Sequence, residues 1–247
     1  MRRSLRLCVT VLAVALAAGS VPMGAGAAQA SDPMLGAPAV GQCFNYDYAA
    51  MMKKTAPSEG PVECSERHTA IAVAVVPLPD HLPVSGGTGK TFDYVLDACQ
   101  PAFDAAYGVS HKLQHVAAFT RNVYFPPTNL AEQGAHWGRC DVVSIAGKTL
   151  FPIAASTPLV TSKPKGKTMK CLRNDYSLTN CSLPHAWAPN GVLTLKGSAF
   201  PSRSAQIRFA KRRCGSVTSP RHRWIFYPLT RSAWRQGERH FVCWESR

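Results

Sequence analysis

The sequence predicts an α+β fold made of two related, disulfide-stapled modules, each a small sheet with one packed helix. Three observations lead there. Past a leader-like N-terminus stand eight cysteines in two sets of four. The short pattern Cys-Ser-x-x-His occurs once in each set, as Cys64–His68 and as Cys181–His185. Each set also carries strand-like alternation, then a helical stripe, then a second strand-like run.

The N-terminus comes first. Arg2, Arg3 and Arg6 precede an apolar run from Leu7 to Ala18, and Ala28-Gln29-Ala30 fits a small-residue cleavage site. The run is shorter than the roughly 20 residues that span a bilayer. Residues 1–30 therefore read as a signal peptide, and the expectation is an exported chain with no membrane anchor after cleavage. Cys8 leaves with the leader, and an even cysteine count outside the cytoplasm favours disulfides.

The remaining chain divides into a first module over 31–154, a linker rich in Ser, Thr, Pro and Lys over 155–170, and a second module over 171–247. The cysteine gaps are 21, 35 and 41 residues in the first set and 10, 33 and 29 in the second. The order matches and the loop lengths differ. Gln133-Gly134 and Gln236-Gly237 each place a glycine six residues before the fourth cysteine. This reads as a diverged tandem duplication.

Within the first module, Thr69 to Val76 alternates Ile71, Val73 and Val75 with alanines, the pattern of a strand with one heavy face. Phe92, Val95, Leu96 and Cys99 then fall at helical spacing, and Pro101 ends or kinks that helix before Phe103 to Tyr107. Arg139 to Ile145 closes the module as a strand. The second module repeats the scheme with Ile207, Ala210, Cys214 and Val217 on a helix and His240 to Trp244 as its closing strand. In both, the third cysteine points from the apolar helix face into the core.

Closure inside each module leaves three pairings per set. The pairing chosen joins first with second and third with fourth: Cys43 with Cys64, Cys99 with Cys140, Cys171 with Cys181, and Cys214 with Cys243. Each third cysteine then pins its helix to the closing strand. Loops of these lengths are worth about 3 to 4 kcal/mol each on the chain-entropy model.

Gly41-Gln42-Cys43-Phe44, the Val62 to His68 segment with its second-module partner, and Trp234 to Cys243 resemble the septum formation family of actinobacteria, over Gly41 to Trp244. The resemblance implies a secreted or cell-envelope protein linked to division septum formation, without an established catalytic activity. Three positions after the motif histidines, where the family often carries an acid, this chain has Ile71 and Ala188.

Oxidised sulfur cannot ligate a metal as thiolate, so Cys-x-x-x-His is read as neither a zinc half-site nor a nucleophile with its base. His68 and His185 are then hydrogen-bonded histidines at a strand entrance. Ser85 to Thr91 ends like a phosphate-binding loop, but Val84 stands where that motif needs glycine, so a glycine-rich loop before a helix is expected. No cofactor and no metal signature is read.

Charge is divided unevenly. Residues 31–160 hold 8 Lys or Arg against 11 Asp or Glu, whereas residues 161–247 hold 17 against 3. Arg208, Lys211, Arg212 and Arg213 fall away from the packing face of the second helix. Arg221, Arg223, Arg231, Arg235 and Arg239 interleave with Trp224, Tyr227 and Trp234. Such a surface concentrates polyanions and is screened by salt.

The leading expectation is a non-catalytic envelope protein that binds or scaffolds at the cell surface, with an anionic envelope polymer or anionic lipid headgroups as partner. A secreted hydrolase using His68 or His185 is the alternative, though no nucleophile motif or paired carboxylates accompany it. Extracellular nucleic acid is a third reading, and it ranks last because arginine and aromatic interleaving is unspecific.

Overall fold

A computed structural model describes residues 32–247 except 85–88, 219–220 and 236. The leader lies outside the described residues, as does most of the glycine-rich loop. Two antiparallel sheets carry the two cysteine sets, which makes the fold the expected mixed α and β class. The first holds β1 (Cys43–Phe44), β2 (Pro61–Val62), β3 (Ala70–Pro77), β4 (Thr120–Tyr124), β5 (Trp137–Ala146) and β6 (Thr149–Phe151). The second holds β7 (Lys170–Leu172), β8 (Leu178–Asn180), β9 (Trp187–Thr194), β10 (Trp224–Ile225) and β11 (His240–Ser246). The helices are α1 (Tyr48–Met51), α2 (Gly89–Ala98), α3 (Gln100–Tyr107), α4 (His111–Gln114), α5 (Thr128–Glu132), α6 (Arg203–Val217) and α7 (Arg231–Arg235).

The strand order of the first sheet is β2-β1-β3-β5-β4, with β6 added on β5, and that of the second is β8-β7-β9-β11-β10. Matching strands by their cysteines makes the two orders the same. A bulge recurs at one place as well. Cys140 faces Ala74 and Asp141 faces Ala72, which leaves Val73 over; Cys243 faces Gly191 and Trp244 faces Pro189, which leaves Asn190 over. Bulges are specific local devices that bend a strand and re-aim its side chains, so a shared position is informative.

The bulge also corrects the strand reading. Ile71 and Val73 pack on the first core, but past the extra residue Ala74 and Val76 take up that face. Strict alternation would have put Val75 there, and it does not belong to the cluster. One extra residue shifts the side-chain phase, which a period-2 pattern cannot reveal.

The helices follow the cysteine spacing. α2 buries Thr91 and Val95, with Cys99 one turn on. Pro101 sits in the first turn of a new helix, α3, where its missing N–H is tolerated. The helix α6 runs unbroken through fifteen residues and buries Gln206, Ala210 and Cys214. The buried row is therefore Gln206-Ala210-Cys214; Ile207 is half-buried at its edge and Val217 is 40% exposed. Gln206 can be buried because its amide is satisfied. Its oxygen accepts from Leu229 N–H at 2.8 Å, and its nitrogen donates to the carbonyls of Pro201 and Leu229.

The sulfurs are joined Cys43–Cys64, Cys99–Cys140, Cys171–Cys181 and Cys214–Cys243. Cys99 ties the α2–α3 junction to β5 and Cys214 ties α6 to β11, so each helix is stapled to an interior strand of its sheet.

The segment 155–170 is docked around Leu159–Val160 and again at Thr168–Lys170. Leu159 and Val160 are buried in the first core, and their N–H groups donate to Ala106 and Tyr107 carbonyls. Gly108 makes this possible: its φ is +72°, and a Cβ there would lie 2.4 Å from Pro158 Cβ and 2.5 Å from Val160 O. Met169 bridges to Ala117, and Lys170 N–H donates to Val116 O. Gly147 N–H donates to Leu178 O, a further link between the sheets. Ser31–Arg247 thereby forms one compact unit.

Candidate functional site

His68 and His185 occupy equivalent places. The Nδ1 of each lies 2.8 Å from the carbonyl two residues upstream, Glu66 O and Leu183 O respectively. That contact closes the turn that leads from the disulfide into β3 or β9. His68 is 2% exposed and its Nε2 faces Ala154 O at 3.0 Å, so both of its ring nitrogens are occupied by backbone carbonyls. An imidazole held in this way has no nitrogen left to serve a substrate as base. His185 is half-buried beside Arg173 and Asp175 on a shallow surface.

The basic helix is different in kind. Arg208, Lys211 and Arg212 stand at i, i+3 and i+4 on α6, with Arg213 beside them, and all four are exposed. No acidic residue occurs in the helix. The opposite face is fixed by Gln206, Ala210 and the Cys214 staple, so the row of cations cannot rotate inward. Ser202 caps the N-terminus by accepting from Ala205 N–H.

The arginine and tryptophan segment separates into two groups. Trp234 is buried, its indole N–H donates to Ser198 O, and Arg239 stacks on its ring at 3.7 Å while donating to the Trp234 and Glu238 carbonyls. Trp224 packs half-buried in the same core beside Phe226. These three side chains serve the fold. Arg221, Arg223, Arg231 and Arg235 are exposed, with Arg231 over Phe200 at 5.0 Å and Arg223 over Trp187 at 5.8 Å. Trp224 also lies beside the C-terminal part of α6, which brings this segment next to the basic helix.

A third cluster escaped sequence reasoning. His111 and His115 lie one helical turn apart at α4, and His240 opens β11, so residues far apart in the sequence meet. Their ring centroids form a near-equilateral triangle of 5.2, 5.4 and 5.1 Å. Each ring offers a nitrogen within 4.8 Å of the other two. Glu238 sits alongside, with Oε2 3.2 Å from His115 Nε2 and Oε1 3.3 Å from His240 Nδ1. Its Oε1 also accepts the N–H groups of Arg239 and His240, which fixes the carboxylate.

Burial holds His115 down to about 4, helped by His240, His111 and Lys170 and opposed by Glu238. Burial pushes Glu238 up, but the His240 N–H, His115 and the Arg239 N–H together hold its carboxyl below the ordinary range. Lys170, half-buried nearby, is lowered to about 8 by burial and by Arg121. A cleft of about 390 Å³ opens beside His111 and His115, with Phe92, Leu96, Phe119 and Lys170 in its walls. The available signals were local and short: His111-x-x-x-His115 at helical spacing, and Glu238-x-His240.

No curated protein and no solved structure matches the chain. The model of one family, described as septum formation, matches residues 96–243. That span begins inside α2, so it covers the second Cys-Ser-x-x-His motif and the basic helix but not Cys43, Cys64 or His68, and is shorter than the Gly41 to Trp244 resemblance. It exceeds half the chain and contains His111, His115, Glu238 and His240. The chain belongs to the septum formation family.

Proposed function

We propose that this protein is an exported, non-catalytic component of the cell envelope that works in septum formation by binding an anionic partner through α6. Family membership supports the septum-related envelope role, and the septum formation family is not a known enzyme family. Four disulfides fit an oxidising compartment. Among the described residues no helix is long and apolar enough to cross a membrane. The single observation that carries the binding role is the exposed row Arg208, Lys211, Arg212 and Arg213, held outward by the Cys214 staple.

The partner chemistry is that of anionic lipid headgroups or an anionic envelope polymer. Both present dense negative charge to a surface that has no acidic residue in its helix, and both are met outside the cell. The matching strand orders and matching bulges support a further reading, that the two modules arose by tandem duplication and that the second acquired its positive charge afterwards.

Tagged chains expressed in growing cells test this. The parent is expected to concentrate at division septa, and a variant with all four α6 cations changed to glutamine is expected to spread or be released. Uniform distribution of the parent contradicts the septal role, and septal retention of the variant contradicts the role of α6.

A further inference from the structure

All eight cysteines of the described chain are locked in disulfides, so thiolate is not available as a ligand. Imidazole is the remaining ligand that suits borderline transition metals. Three imidazoles converge in one place. Zinc–nitrogen bonds of about 2.0–2.1 Å, with ring centroids about 1.1 Å further out, put centroids roughly 5.2 Å apart around a tetrahedral ion. The centroid separations here are 5.2, 5.4 and 5.1 Å. The spread of up to 4.8 Å between nitrogens must tighten to about 3.4 Å for that geometry, a change that rotation of the three rings can supply.

A second observation points the same way. His115 Nε2 and His240 Nδ1 are buried from solvent, and neither makes a hydrogen bond of acceptable geometry although each lies close to a Glu238 oxygen. These two nitrogens face the carboxylate, which leaves the other nitrogen of each ring to an ion. Glu238 is where a carboxylate stands in histidine metal sites, beside the ring nitrogen that does not bind the ion, where it orients the imidazole and raises its basicity. The charges around the cluster are Glu238, Lys170 and Arg121; the guanidinium of Arg121 is engaged by Gln100.

We propose that His111, His115 and His240 bind one divalent transition-metal ion of the zinc type, with Glu238 as the positioning carboxylate. Ligands from α4 and β11 would make the ion a clasp between the two modules, next to the cleft lined by Phe92, Leu96 and Phe119. Water or a partner's donor group would complete the coordination, and His111 is the exposed member of the three.

The test uses the mature chain without an affinity tag and with disulfides intact, stripped with chelator and titrated with Zn²⁺ against a chromophoric competitor. One ion per chain is expected, with a raised thermal midpoint in excess zinc, because binding to the native state alone stabilises it. His240→Asn and His111→Asn should each weaken binding at least tenfold. His81→Asn, at an exposed histidine outside the cluster, should not change it. His111 is exposed, so its variant reads out the site even where His240→Asn disturbs folding. Failure of the parent to take up zinc, or uptake that survives His111→Asn unchanged, overturns the proposal.

Discussion

Arg139 and Asp141, two positions apart on β5, form an ion pair of 2.8 Å with both side chains almost wholly buried. Tyr46 O–H donates to the same carboxylate oxygen at 2.9 Å, and the guanidinium lies over the rings of Phe44 and Tyr124 at 4.2 and 4.9 Å. Removing one member of such a pair leaves the other charge buried alone, which costs about 3–5 kcal/mol. Asp141→Asn is expected to lose that much in urea unfolding. The double change Arg139→Met with Asp141→Asn should recover a large part of it, and a purely additive double variant would contradict the coupling.

The same carboxylate predicts a pH dependence. Burial pushes the Asp141 carboxyl above its ordinary value, against the pull of Arg139 and Tyr46. The native state therefore binds a proton where the unfolded chain does not, and this residue's contribution to stability grows as pH falls through the folded value toward the ordinary one. The stability gap between the parent and Asp141→Asn should widen as pH falls between the folded and the ordinary value and be flat above the folded one, as read from denaturant melts across pH.

The docking of Leu159 and Val160 rests on Gly108. Gly108→Ala must adopt a φ of +72° and meets Pro158 Cβ at 2.4 Å, so a loss of about 2 kcal/mol or more is expected, together with faster proteolysis between 155 and 165. Gly60→Ala, with nothing within 4 Å of the added carbon, serves as its control and should be close to neutral.

Loop length orders the disulfides. Replacing both cysteines by alanine at Cys99–Cys140, which closes 41 residues, is expected to cost about 4 kcal/mol on the chain-entropy model. The 10-residue closure at Cys171–Cys181 should cost about 2.7. Guanidinium melts of the two double variants give the order directly.

These residues also show what a sequence carries. The cysteine order and the helical spacing up to Cys99 and Cys214 were legible because both are local patterns with a fixed period. The side-chain phase after Val73 was not, since a bulge is defined by the partner strand. Periodicity favours Ile207 over Gln206 on the buried face, because a buried amide is acceptable only with the partners that Pro201 and Leu229 supply in the fold. The basic face of α6 was visible because charge and helical phase are both local. The histidine triangle was hidden by distance along the chain: His111 and His240 meet where the backbone of 168–170 joins 116–118 and, with Gly147 on Leu178, holds the second sheet against the first.

Vesicle binding separates α6 from the rest of the basic surface as the site that meets an anionic partner. The folded parent and a variant carrying Arg208→Gln, Lys211→Gln, Arg212→Gln and Arg213→Gln are compared on phosphatidylglycerol vesicles over a range of ionic strength. Basic residues near an anionic surface contribute about 1 kcal/mol each, and the attraction fades within a Debye length. The parent is expected to bind at low salt and to be released as salt rises, and the variant, with Cys214–Cys243 intact, to bind more than tenfold more weakly. A folded variant that binds at low salt as tightly as the parent would contradict it.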